Sequence, residues 1–115
     1  MKVIVEKLTH LRGVIGCALV AHDGILIYSH LPPTVESDTV SAMVSAIGGS
    51  VSRSTERLAS GEFLQLMVDA QGGKMFIGNT KMGYLVIFTE SDINVGMIRL
   101  ELKTACDQLN QEELL

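Results

Sequence analysis

The sequence predicts an α+β fold, a three-layer α/β/α sandwich with helices on both faces of a five-stranded antiparallel sheet. Three observations lead there. Helical periodicity fills three stretches, at the start, the middle and the end of the chain. Between them lie short aliphatic runs joined by glycine-containing turns, the mark of antiparallel pairing. Hydrophobic residues make up 47% of the 115 positions and aromatic ones only 4%, which provides a Val, Ile, Leu and Met core for a single domain over 1–115. The order is helix, strand, strand, helix, strand, strand, strand, helix, and layering helices on a sheet buries such a set of elements.

Residues 2–11 read as a short helix with Ile4, Leu8 and Leu11 on one side, Lys2 and Glu6 spaced for an i,i+4 pair, and Gly13 as its stop. Residues 14–21 are almost continuously apolar, so this strand is central and covered on both faces. His22-Asp23-Gly24 turns the chain into a second strand at 25–30, and Leu31-Pro32-Pro33-Thr34 breaks the pattern. A long helix over 37–59 follows, with Asp38 near its start and Gly61 at its end. Val40, Val44, Ile47, Val51 and Leu58 form its core-facing stripe. Runs at 63–69, 74–79 and 84–89, joined by Gln71-Gly72-Gly73 and Thr80-Lys81-Met82-Gly83, make a three-stranded meander. The last helix spans 93–111, with Asp92 or Asn94 as its cap, then a fraying polar tail. Ile98, Leu102, Ala105 and Leu109 form its stripe, and Leu100 points away from it.

The middle helix is unusual in what it lacks. Away from the stripe it carries Ser41, Ala42, Ser45, Ala46, Gly48, Gly49, Ser50, Ser52 and Ser54, with few charges before Arg53, Glu56 and Arg57. Two adjacent glycines inside a helix cost about 1 kcal/mol each relative to alanine. Small residues permit close approach of another backbone, so one face is read as packing on its own domain and another on a partner. The plain alternative is a solvated, serine-rich surface. Two shoulders compete for the partner: Met43, Ile47, Ser50 and Ser54, or Ser41, Ser45, Gly48 and Ser52. The first is preferred because Met43 and Ile47 bury more apolar area.

No catalytic constellation emerges. A net charge of -4 and the absence of any basic run exclude nucleic acid as a main partner. No apolar run is long enough to span a bilayer, and Glu6 and Lys7 interrupt the N-terminal apolar stretch that a signal peptide needs, so a cytoplasmic location is expected. Cys17 and Cys106 form no CxxC and lie in apolar patterns, as buried free thiols do. His10, His22 and His30 match no metal-ligand or triad spacing, and no Walker loop, GxGxxG or GxSxG is present. Glu90 and Asp92 read as helix-start residues rather than an acid/base pair. Arg53 and Arg57, one turn apart, suit a phosphate or acidic partner, or a solvated pair beside Glu56. The reading is therefore of a non-enzymatic chain with no cofactor, metal or catalytic residues.

Gly13-Val14-Ile15-Gly16-Cys17-Ala18-Leu19-Val20 with Asp23-Gly24, and the closing segment Thr89-Glu90-Ser91-Asp92-Ile93-Asn94-Val95-Gly96-Met97-Ile98-Arg99-Leu100-Glu101-Leu102, resemble the Roadblock family, the small profilin-like domain named from dynein light chains. The resemblance covers nearly the whole chain. It implies dimers formed through the middle helix and the edge of the following strand, here 37–59 and 63–69, giving a ten-stranded joined sheet. The residues expected at that interface are Met43, Ala46, Ile47, Ser50, Arg53, Ser54, Arg57, Phe63, Gln65 and Met67. Family members bind or regulate Ras-like small GTPases. Some prokaryotic ones are homodimeric GTPase-activating proteins that reshape the GTPase's site without donating an arginine, and others scaffold or pair with related subunits. The resemblance thus implies a homodimeric regulator or scaffold of a small GTPase, with a heteromeric structural subunit and a small-molecule sensor domain as alternatives.

Overall fold

Eight elements follow the anticipated order in the computed structural model, which describes residues 1–114. They are α1 (Lys2–Leu8), β1 (Val14–Val20), β2 (Leu26–His30), α2 (Ser37–Arg57), β3 (Gln65–Ala70), β4 (Gly73–Asn79), β5 (Tyr84–Thr89) and α3 (Val95–Leu114). The strands form one antiparallel sheet in the order β2-β1-β5-β4-β3, so β2 and β3 are its edges. The first hairpin turns at Gly24, whose φ of +95° suits a residue without a Cβ, and the Asp23 carboxylate accepts the Ile25 N–H at 3.2 Å.

The sheet separates two cores. β1 shows why its sequence is continuously apolar: Cys17 and Leu19 pack with α1 and α3, while Ala18 and Val20 pack with α2. On the first side lie Val5, Phe76, Leu85, Ile87, Ile98, Leu102 and Leu109. On the second lie Val40, Val44, Phe63, Met75, Ile77, Tyr84 and Val86. Both cysteines are buried free thiols, and burial pushes each up to about 12.

Several boundaries move for local reasons. α1 ends at Leu8, short of Leu11, where the Thr9 hydroxyl donates to the Glu6 carbonyl at 2.6 Å. The expected Lys2–Glu6 pair is replaced: the Tyr28 hydroxyl donates to Glu6 Oε1 at 2.8 Å, holding α1 against β2 and raising the Tyr28 pKa. α2 stops at Arg57 rather than Ala59. Its end is a left-handed turn on Ala59 (φ +57°), with Ala59 N–H bonded to the Glu56 carbonyl and Ser60 N–H to the Thr55 carbonyl, the Schellman pattern. Leu58, expected in the core stripe, is thereby turned out and is 76% exposed. At the start of α3, Asn94 is the cap, its Oδ1 accepting the Met97 N–H at 2.9 Å. α3 continues through Leu114 where the sequence suggested fraying from Asn110; Leu115 lies outside the described residues.

The two glycines of α2 have different surroundings. A Cβ on Gly48 would lie 2.6 Å from the Tyr84 ring, so Gly48 lets the helix settle onto that ring. A Cβ on Gly49 would meet only the tip of Arg53, at 3.4 Å. The close approach that Gly48 permits is thus to the chain's own sheet, not to a partner backbone.

Candidate interaction surface

The helical layers are unequal. Strands lie about 4.8 Å apart and a helix is about 10 Å across, so one helix covers roughly two strands. α1 and α3 share one face of the sheet, whereas α2 stands alone on the other, crossing β2, β1, β5 and β4 and leaving β3 bare. An open groove of about 430 Å³ results. α2 supplies Val40 and Met43, β3 supplies Val68 and Ala70, and Met75 and Phe88 are also among the almost wholly apolar lining. β3 is also a terminal strand, so its outer edge carries unpaired backbone N–H and C=O groups.

Pairing with β4 fixes which β3 side chains share the face of α2. Leu66 lies opposite Ile77 and Val68 opposite Met75, both in the α2-side core. Met67 lies opposite Phe76, in the core of the other side. Gln65 also faces away from α2, donating through Nε2 to the Arg99 carbonyl of α3 at 2.9 Å. Gln65 and Met67, expected at the pairing interface, therefore lie on the sheet face opposite the middle helix, and Leu66 and Val68 are the β3 residues on its own face. Phe63, also expected at that interface, is placed differently. It precedes β3, is only 7% exposed, and stacks on Tyr84 with ring centroids 6.0 Å apart, so its side chain belongs to the core. Both Leu66 and Val68 escaped the sequence reading because QLMVDA is apolar in both phases of its alternation; only the register selects the phase.

On α2, Met43, Ala46, Ser50, Arg53, Ser54 and Arg57 are exposed, and Ile47 is half-buried against the core. The competing shoulder is used internally. Ser41 and Gly48 are buried, Ser45 sits against Gly24 of the hairpin turn, and the Ser52 and Tyr84 hydroxyls are 3.5 Å apart. Several hydroxyls are tied to their own helix. Ser54 donates to the Ser50 carbonyl at 2.9 Å and Ser45 to that of Ala42 at 3.2 Å, so the serine-rich face offers fewer free donors than its composition suggests. Among the described residues Arg53 and Arg57 make no ion pair.

His10, His22 and His30 are all exposed; the His22 ring lies edge-on to Tyr84 and its Nε2 is 3.0 Å from Asn79 Oδ1. Among the described residues no three His, Cys, Asp or Glu side chains cluster to hold a metal, and no helix is long and apolar enough to cross a membrane.

The chain is thus a small sandwich in which the edge strand β3 has no helix over either face. The chain belongs to the Roadblock/LC7 domain family, whose model matches residues 2–89, and that family is one of interaction and regulatory domains. Uncharacterized protein MJ0310 of Methanocaldococcus jannaschii is 33% identical over 106 residues, covering 92% of this chain and 93% of that protein. Among solved structures, Myxococcus xanthus MglB superposes with a TM-score of 0.90 at 18% identity, over 98% of this chain and 94% of that one. A Roadblock/LC7 domain from Streptomyces avermitilis gives 0.88 at 13% identity, over 100% and 98%. A further MglB structure, described as having a tetrameric arrangement, gives 0.86 at 16% identity, over 99% and 89%. At these identities the structural likeness shows a shared fold.

Proposed function

We propose that two copies of this chain pair through the outer face of α2 and the edge of β3, and that the pair is a non-enzymatic platform that binds a Ras-like small GTPase to regulate or scaffold it. The observation that carries the pairing is the apolar groove that α2, alone on its face, leaves beside β3. A second α2, delivered by a two-fold axis beside β3, would cover Val68 and Met43 and complete the layer. The two β3 edges would then continue one sheet into the other and satisfy their free backbone groups. Met43 and Val68 are still 37% and 40% exposed, so completing their burial on each copy contributes about 0.6–1.2 kcal/mol per side chain. Antiparallel packing of the two helices also sets Asp38 in the first turn of one toward Arg57 in the last turn of the other, favourable for charges and helix dipoles alike.

The GTPase assignment rests on family membership. Stimulation of GTP hydrolysis is one form such regulation takes. The groove beside α2 has almost no polar lining to orient a small ligand, which favours a protein surface over a sensor pocket.

Sedimentation velocity tests the pairing. The wild-type chain is expected to run as a dimer at micromolar concentration. Ser50→Arg and Val68→Lys, both at exposed positions, are expected to run as folded monomers by circular dichroism. A dimer untouched by both changes would place the interface elsewhere. A wild-type monomer would point to a related subunit as the natural partner.

A further inference from the structure

We infer that the groove between α3 and β3, on the sheet face opposite α2, docks an acidic amphipathic helix of a partner protein. The argument begins with cover. On this face α1 lies over β1 and β2 and α3 over β4 and β5, so β3 again has no helix of its own. The space left open is a groove of about 740 Å³. It runs along α3 from Gly96 to Asn110, with Leu64 and Gln65 at the β3 end of the sheet forming its other side.

The groove is held in shape without an occupant. Gln65 Nε2 donates to the Arg99 carbonyl at 2.9 Å, tying β3 to α3. Asn110 Oδ1 accepts the Lys81 N–H at 2.9 Å, tying α3 to the β4–β5 turn. Two large apolar side chains stand unburied on its walls, Leu64 at 78% exposure before β3 and Leu100 at 62% on α3. Neither belongs to either core.

Charge then selects the occupant. Arg99 and Lys103 stand one turn apart on the α3 wall. Lys103 is held by Asp107 at 2.8 Å, but Arg99 makes no ion pair among the described residues. A chain of net charge -4 thus keeps an uncompensated cation beside two exposed leucines. That combination fits an apolar stripe flanked by carboxylates. An extended peptide binds by adding to an unpaired strand edge, which the floor of this groove does not offer, so the groove between helix and strand suits a helix. This inference needs neither the pairing nor the GTPase, because the groove lies on the other face from α2.

Three synthetic four-turn helical peptides test it, sharing one leucine stripe and differing only in whether the remaining positions are Glu, Gln or Lys. Binding is read by fluorescence anisotropy. The Glu peptide is expected to bind tightest, more weakly as salt is raised, and the Lys peptide weakest. Arg99→Glu with Lys103→Glu should weaken the Glu peptide by roughly tenfold and make the Lys peptide the tighter ligand, since two contacts turn from attractive to repulsive. Leu100→Asp should abolish binding of all three, and Ser50→Arg on the other face should leave it unchanged. Failure of every peptide to bind would overturn the inference. So would a Glu preference that survives the double charge reversal, or binding lost with Ser50→Arg but kept with Leu100→Asp.

Discussion

Replacing each of the two adjacent glycines of α2 by alanine should give effects of opposite sign. Either change gains about 1 kcal/mol of helix propensity. At Gly48 the new methyl would stand 2.6–2.7 Å from three atoms of the Tyr84 ring, closer than such contacts occur. That ring has little room to yield. Phe63 stacks on it at 6.0 Å, His22 meets it edge-on at 4.7 Å, and its hydroxyl is 3.5 Å from Ser52 Oγ. Overpacking of this kind costs about 1–3 kcal/mol, so the net effect is a loss of about 1 kcal/mol. At Gly49 the nearest atom is the flexible Arg53 Nη1 at 3.4 Å, and the propensity gain survives. The two variants should differ by about 2 kcal/mol, or roughly 8 °C in Tm for a domain of this size. Thermal and urea unfolding at one fixed protein concentration reads this, since association adds to apparent stability. In a Tyr84→Ala background, Gly48→Ala should become stabilising. Shifts of the same sign in both single variants, or a Gly48→Ala cost that persists without the Tyr84 ring, would refute the packing described here.

Other outcomes follow from single sites. Ala59→Gly should stabilise the chain by about 0.5–1 kcal/mol in urea titrations, because Ala59 holds a left-handed conformation that glycine adopts without strain. Ile47→Asp should cost about 2–4 kcal/mol, placing a carboxylate against the α2-side core, and its unfolding midpoint should show it. The thiols of Cys17 and Cys106 should not react with a thiol-specific chromogenic reagent in the folded chain at pH 8. Burial raises both from 9.0 to about 12, so the folded state holds its protons where the unfolded chain loses them. Their contribution to stability is therefore complete below about pH 9 and is lost as pH rises toward 12, which urea midpoints across that window would record.

Much of the fold was legible because it rests on period and punctuation. Val40, Val44, Ile98, Leu102 and Leu109 are buried as their spacing demanded, and the Asp23-Gly24 hairpin forms where expected. The departures come from contacts distant in sequence or from turns with no local mark. Gly48 answers to Tyr84, thirty-six positions on, and nothing near Gly48 announces it. α2 ends at Arg57 and the left-handed turn falls on Ala59, an unusual occupant of that position, so Leu58 looked like the last residue of the core stripe when it is turned out to solvent. The α2 side of the candidate surface was readable from its scarcity of charge. Its β3 side was not, since Gln65 or Leu66 as the inward residue depends on pairing with β4.

The central claim is that the paired chain is a platform for a Ras-like small GTPase. Its most direct measurement mixes the purified chain with each such GTPase of the same genome, loaded with GDP or a non-hydrolysable GTP analogue, and follows complex formation by calorimetry. The account predicts that one of them binds, with affinity that differs between the two nucleotide states, and that Ser50→Arg loses this binding together with pairing. Absence of nucleotide-dependent binding to every one of them would contradict it.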